Sequence, residues 1–195
     1  MKMSLEIFAG IVGSDGHVEN NQAVIRIINK DRDFLEKIVV PLIEKLTGKR
    51  VQLKQAISGF GKPKFVIAFT SQEIWKILQE KFSIPKGRKS DAAIEPKLET
   101  NKEKMDFLLG WFAGDGSVTV DRDKPKLEIW SKSKETLEWF KKVLQENEIE
   151  SRIFSARRVG KFILRIGKQA DVKLFHKKFT IPHPTKEQRL ASLLS

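Results

Sequence analysis

The chain has no cysteine, only three histidines and no long apolar run among its 195 residues, and each shortage removes a class of function. Without cysteine there are no disulfides, no thiolate nucleophile and no cysteine-based zinc site, so any metal must sit on oxygen or histidine. With His17, His176 and His183 as the whole supply, a histidine-built metal centre is poorly supported, since an isolated histidine is ordinarily structural. No stretch approaches the roughly 18–20 unbroken apolar residues of a membrane span, and Glu6 interrupts the start where a signal peptide would be apolar. The expectation is a soluble intracellular protein, in cytoplasm or nucleoid, with no membrane contact.

What the chain does have is positive charge. Lysine and arginine number 37 against 25 aspartates and glutamates, a net of +12. The excess is +5 over residues 1–100 and +7 over the remainder, so it is spread and not gathered in a tail. A basic excess over both halves suits a long polyanion lying across the molecule. The hydrophobic content, 40%, is enough for real cores.

The chain also repeats itself. The segment 7–16, IFAGIVGSDG, is answered by 107–116, FLLGWFAGDG, and 25–36 by 127–138. KFVIAF at 64–69 is answered by KFILRI at 161–166, and KFSIP at 81–85 by KFTIP at 178–182, with order kept and offsets between 97 and 102. Such self-similarity marks a duplication. Each copy reads as helix, two strands, helix, two strands, helix. Val24 to Ile28 is β-branched, Leu127 and Ile129 alternate with Lys126 and Glu128, and Phe34, Ile38, Leu42 and Leu46 share a helical face stopped near Gly48. Gly16 is read as a left-handed helix stop, Pro41 predicts a kink or break, and Gly59 and Gly61 suit a turn. The domain reading is a first repeat over 1–85, a charged connector over 86–105 containing Pro96, and a second repeat over 106–195. Two four-stranded sheets packed by helices, an α+β fold, are implied.

The chemistry lies where the repeated helices end. Gly10, Gly13 and Ser14 in the first, and Gly110, Ala113 and Gly114 in the second, line up at helical spacing. Glycine costs about 0.5–1 kcal/mol in a helix relative to alanine, so its clustering predicts two helices packed side by side with backbones unusually close. That would join Asp15 to Asp115. A carboxylate at a helix C-terminus lies against the dipole and beside unpaired carbonyls. Two such ends together repel unless a cation is held or a proton taken up. Carboxylate, carbonyl and water oxygens are what Mg²⁺ accepts, with substrate phosphate completing the set, and phosphodiester hydrolysis is the expected chemistry.

FAGIVGSDG and LLGWFAGDG resemble the paired signatures of a LAGLIDADG homing endonuclease in its single-chain, two-motif form, similar to archaeal intron-encoded members. The resemblance spans nearly the whole chain. It implies two pseudo-symmetric αββαββα units, each with a four-stranded antiparallel saddle-shaped sheet, packed through the motif helices. It implies a monomer that straddles double-stranded DNA and hydrolyses both strands to staggered ends with Mg²⁺ (or Mn²⁺), without a small-molecule cofactor. By the same resemblance Asp15 and Asp115 are the catalytic, metal-binding acids, and the backbone carbonyls of Ser14 and Gly114 are further metal ligands. Asn29, Lys30 and Lys86 in the first unit, and Ser131 and Lys132 in the second, are candidates for organising the attacking water. Phe8 opens the first motif, Leu109 replaces an alanine, and Gly13 and Ala113 stand at an often acidic position; none of these departures touches the acids.

Base reading should come from strand positions facing away from the core. Gln22, Arg26, Gln52, Lys54 and Lys64 in the first unit, and Lys124, Lys126, Glu128, Arg157, Arg158, Lys161 and Arg165 in the second, are the candidates. Arginine and glutamine can read base edges, while most lysines would meet phosphates. Two other readings compete: an RNA maturase assisting its host intron, and a purely structural duplicated domain. Neither requires both aspartates.

Overall fold

A computed structural model describes residues 4–19, 23–57, 63–87 and 92–195. The first unit opens with α1 (Leu5–Asp15), followed by β1 (Gly16–Val18) and β2 (Val24–Asn29). A short α2 (Arg32–Phe34) runs through a π-helical turn, Leu35–Val39, into α3 (Val40–Thr47); β3 (Leu53–Ile57), β4 (Pro63–Thr70) and α4 (Gln72–Glu80) complete it. The second unit has α5 (Asn101–Asp115), β5 (Gly116–Asp121), β6 (Lys124–Ser131), α6 (Lys134–Glu146) and β7 (Arg152–Ala156). After a 3-10 turn, Arg157–Val159, come β8 (Lys161–Ile166), α7 (Gln169–Lys178) and α8 (Pro184–Leu194). The αββαββα order appears twice, as expected, and α8 is an addition at the end of the second copy.

The strands form two antiparallel sheets with matching orders, β1-β2-β4-β3 and β5-β6-β8-β7. Alternation decides which face each residue joins. Ile25, Ile27, Ile67 and Phe69 are buried in the first sheet, and Leu127, Ile129, Leu164 and Ile166 in the second, all within one core that also takes up α1 and α5. Their strand neighbours Arg26, Ile28, Lys126, Glu128 and Arg165 have the opposite parity and form the outer faces.

Three local expectations met the structure differently. Pro41 interrupts the second helix of the first unit by inducing a π turn just upstream: without its N–H it cannot bond back in α register, and the Val40 N–H reaches Leu35 O instead. The widened turn rotates the buried face, so Leu35, Val39 and Ile43 are buried along with Phe34 and Leu42. Gly48 does end α3 in the left-handed region, at φ 67°. Gly16 does not: its backbone is extended, φ −88° and ψ 168°, as is that of Gly116. The reason for glycine there is space. A Cβ on Gly16 would stand 2.6 Å from Val12 Cα, and one on Gly116 would stand 2.5 Å from the Phe112 ring.

The units are joined through α1 and α5 at backbone distance. A Cβ on Gly10 would meet the Phe107 carbonyl and lie 2.6 Å from Trp111 N, while one on Gly110 would meet the Ile7 carbonyl, with its carbon at 2.8 Å. The clustered glycines are therefore explained by side-by-side packing, as anticipated. Around this joint Ser4 Oγ donates to Asp106 (3.0 Å), and the Lys81 ammonium bridges Glu6 (3.1 Å) and Glu103 (2.9 Å). α5 opens at Asn101 with a reciprocal cap between Thr100 and Glu103, so the end of the segment read as connector already belongs to the motif helix. The stretch before it is pinned at several points: Gly87 N–H donates to Val18 O (2.7 Å), Lys97 N–H to Lys81 O (2.8 Å), and Ile94 N–H to the Thr136 hydroxyl (2.9 Å). Gln22, Gly59 and Gly61 lie outside the described residues.

Candidate metal centre and nucleic-acid interface

Because α1 packs from Ile7 onward against the C-terminal half of α5, the end of one helix lies against the end of the other. A Cβ on Gly114 would lie 2.8 Å from Ser14 Cβ and 3.0 Å from the Asp15 carboxyl carbon, so the Asp15 carboxylate rests against the end of the other motif helix. Asp15 is half-buried and Asp115 exposed. The Asn29 side-chain amide donates to Asp15 Oδ2 at 2.5 Å, and its carbonyl accepts from the backbone N–H of Asp31 at 2.8 Å. Both ends of Asn29 are thereby committed, and its evident work is to orient the acid. Ser131, at the matching place in the second unit, uses its hydroxyl in the same way, accepting from Ser133 N–H at 3.1 Å.

A lysine that the sequence reading did not single out stands in the middle of this centre. Lys186, from the first turn of α8, donates from its ammonium to the carbonyls of Phe112 (3.1 Å), Ala113 (2.7 Å) and Gly114 (2.7 Å). It thus satisfies the C-terminal end of α5, where unpaired carbonyls concentrate partial negative charge. Burial pushes its pKa down to about 8 against the pull of Asp15 and Asp115, with Lys30 adding to the depression. The Gly114 carbonyl, read as a metal ligand, is a principal acceptor of this ammonium.

Next to it, His183 is buried and stacked on Phe34, with ring centroids 4.5 Å apart and planes at 10°. Its Nε2 is 3.7 Å from Asp31 Oδ2, and the Thr185 hydroxyl donates to the same oxygen at 2.8 Å. Burial and the Lys186 charge lower the His183 pKa to about 4, against the pull of Asp31. Burial raises the Asp31 carboxyl, but the Phe34 N–H, the Thr185 hydroxyl and His183 outweigh it and leave the pKa lowered. This cluster fastens α8 of the second unit to α2 of the first. His183 is a structural histidine, in line with the ordinary role of a lone one.

The remaining candidates divide. Asp115, Ser131, Lys132 and Lys161 line one cleft of about 380 Å³ together with Ser14 and His17. Lys30 is exposed and close enough to Lys186 to depress it. Lys86 lies over the Trp75 ring, 4.1 Å from its centroid, and makes its described contact there. On the outer faces, Arg26, Lys54, Lys124 and Lys161 are exposed and Lys64, Lys126 and Arg165 half-buried. Three residues expected on strands are not there: exposed Gln52 precedes β3, and exposed Arg157 and Arg158 lie in the 3-10 turn between β7 and β8. Glu128 is buried despite its outward parity, because Arg165 Nε lies over it at 2.6 Å. The Arg165 guanidinium also sits 4.9 Å above the Phe154 ring, and Lys126 pairs with Asp121. Among the described residues no three carboxylates and histidines gather as a metal cluster. Two carboxylates with substrate phosphate remain a sufficient set for Mg²⁺. No helix of the described residues is long and apolar enough to cross a membrane.

Two pseudo-symmetric sheet units, joined by glycine-packed helices that end on acids, define a class of fold, and the comparisons give that class a name. Residues 102–180, within the second unit, match the family model described as a LAGLIDADG-like domain, and the two-unit fold is shared with solved structures. The homing endonuclease I-DmoI in complex with DNA and Ca is similar at 16% identity over 97% of this chain and 95% of that one, with a TM-score of 0.66. Full-length DUF199/WhiA from Thermatoga maritima is similar at 20% identity over 98% of this chain and 62% of that one, TM-score 0.67. No curated protein matches the sequence.

Proposed function

We propose that this chain is a site-specific homing endonuclease that hydrolyses both strands of a double-stranded DNA target with a divalent metal and leaves staggered ends. The observation that carries the reading is that α1 and α5 end on acids side by side: the Asp15 carboxylate lies against Gly114, next to Asp115, and both carboxylates act on the Lys186 ammonium. The two basic outer faces and the likeness to I-DmoI bound to DNA support the substrate. One unit per half-site lets a single chain do the work of a two-fold dimer.

The donor chemistry fits Mg²⁺ or Mn²⁺ at the carboxylates. Bound there, the metal would polarise the phosphate, lower the pKa of an attacking water and stabilise the leaving oxygen. Asn29 holds the Asp15 carboxylate in place. Ser131 and Lys132, beside Asp115, and Lys30, near the other end of the centre, are placed to orient water or meet a scissile phosphate. Lys86, which lies on Trp75, is the further candidate of the first unit for organising the attacking water. Arg26, Gln52, Lys54, Lys64, Lys124, Lys126, Arg157, Arg158, Lys161 and Arg165 form the binding surface, with Glu128 acting through Arg165. In this reading residues 1–85 and 106–195 are the two repeats.

The test is cleavage-site selection from a DNA library with Mg²⁺ and, in parallel, with Ca²⁺. Sequence-specific double-strand ends are expected with Mg²⁺. Asp15→Asn and Asp115→Asn should each abolish double-strand cleavage while target binding survives. If both variants linearise the target plasmid, the acids are not the active site. Capture of folded RNA with no DNA cut would make the chain a maturase.

A further inference from the structure

We infer that Lys186 is a resident cation of the two-acid centre, so that the DNA-free protein keeps this centre assembled without a divalent ion and takes one up only together with the substrate's phosphate. The inference rests on the proposed role of Asp15 and Asp115 as metal ligands. Lys186 makes three hydrogen bonds to the last carbonyls of α5, none longer than 3.1 Å, and its charge acts on both carboxylates. Asp31 and Lys30 also act on it, and its own charge acts on His183.

Two acids at adjoining helix C-termini form a strongly negative place. Without a counter-charge, they would either bind the first divalent ion available or push the helices apart. An ammonium fixed on the carbonyls supplies that counter-charge. It also places a like charge against an incoming ion and occupies the Gly114 oxygen that would otherwise contribute a bond. A scissile phosphate restores the balance by bringing negative charge and two further oxygens. Ion entry then coincides with DNA. Lys186 is a positioning residue in this scheme, since it acts through the acids and the helix end, and α8 is the element that delivers it.

The experiment measures Ca²⁺ binding by calorimetry and melting midpoints with the full chain, without and with target DNA. Wild type free of DNA should show no saturable Ca²⁺ binding at millimolar ion and no shift in midpoint, while the DNA complex binds Ca²⁺ at least tenfold more tightly. Lys186→Gln, which keeps a donor but loses the charge, should melt about 5–10 °C lower in chelator. Ca²⁺ should restore at least half of that loss, and Asp115→Asn added to Lys186→Gln should remove the restoration. Tight Ca²⁺ binding by DNA-free wild type would overturn the inference, and needs no variant to fold. So would a Lys186→Gln protein as indifferent to Ca²⁺ as wild type. If that happens while wild type still cuts DNA with Mg²⁺, the resident-cation idea fails and the nuclease reading stands; loss of cutting by wild type would sink the nuclease reading itself.

Discussion

The outer faces of the two sheets occupy equivalent places in equivalent units, yet they carry different chemistry. Across the second sheet, Ser117, Glu128, Arg165 and Arg152 stand opposite one another in a single row over all four strands. The corresponding row of the first sheet is His17, Arg26 and Ala68. The next row over is Trp130, Ile163 and Phe154 in the second sheet and Ile28, Val66 and Lys54 in the first. In the second sheet arginine is clamped: Glu128 holds its Nε, and Phe154 lies beneath its guanidinium plane. In the first, Arg26 pairs with Glu19 in the open, with 48% of its side chain exposed. Duplication preserved the scaffold and left the outward residues to diverge, as expected where a face owes nothing to the core. A clamped guanidinium presents its remaining N–H groups in one direction, which suits base recognition; an exposed pair suits looser contact with a backbone.

Separating the units would break this comparison most severely. Gly10→Val or Gly110→Val drives a side chain into the main chain of the partner helix, which cannot yield as a side-chain tip would. Each should destabilise the protein by at least about 3 kcal/mol in urea denaturation, or leave it insoluble. By contrast Gly48→Ala and Gly160→Ala, at positive φ with open space around them, should each cost about 1 kcal/mol. Equal losses at all four positions would mean that the close approach of α1 and α5 is unimportant.

A smaller effect sharpens the contrast between the faces themselves. Glu128→Ala removes the buried partner of Arg165 and should cost about 1–2 kcal/mol, whereas Glu19→Ala, releasing the exposed Arg26, should cost about 1 kcal/mol or less. In target selection, the first change should relax preference at one position in the half-site under the second unit, and the second change should leave the preferred sequence alone. Matching effects would remove the distinction between clamped and loose arginine.

The mildest effect is read with acid. The folded pKa of His183, about 4, lies below its ordinary 6.5. The unfolded chain therefore takes up this proton first, and the stability tied to neutral His183 is complete above pH 6.5 and lost as pH falls towards 4. His183→Gln should flatten the curve of melting midpoint against pH in that window. An unchanged slope would place the acid sensitivity elsewhere.

The parts of the site that were legible in the sequence are those fixed by repetition. Asp15 and Asp115, Gly10 and Gly110, and the outward parity of Arg26 and Lys126 all follow from a motif stated twice and from strand alternation. Asn29 was found because it sits at the end of β2, in a segment with a counterpart. Lys186 was not. It falls after the last matched segment, in an added helix, and a lysine two residues past a proline looks like any solvated lysine. Only the fold shows that α8 turns this side chain onto α5. Gly16 was misjudged for a related reason: glycine beside a helix end has two causes, backbone sign and crowding, and sequence alone does not separate them.

The glycine contact between α1 and α5 also bears on how such a chain can be inherited. Where the joint is main chain against main chain, it holds little information about which side chains surround it. A unit from a distant relative with glycine at the same step could dock here, carrying its own outer face. The main-chain joint is a part that another unit could share, while the Ser4–Asp106, Lys81–Glu103 and Thr185–Asp31 contacts would have to be matched anew. Recombination between genes could therefore supply new combinations of faces only together with those side chains.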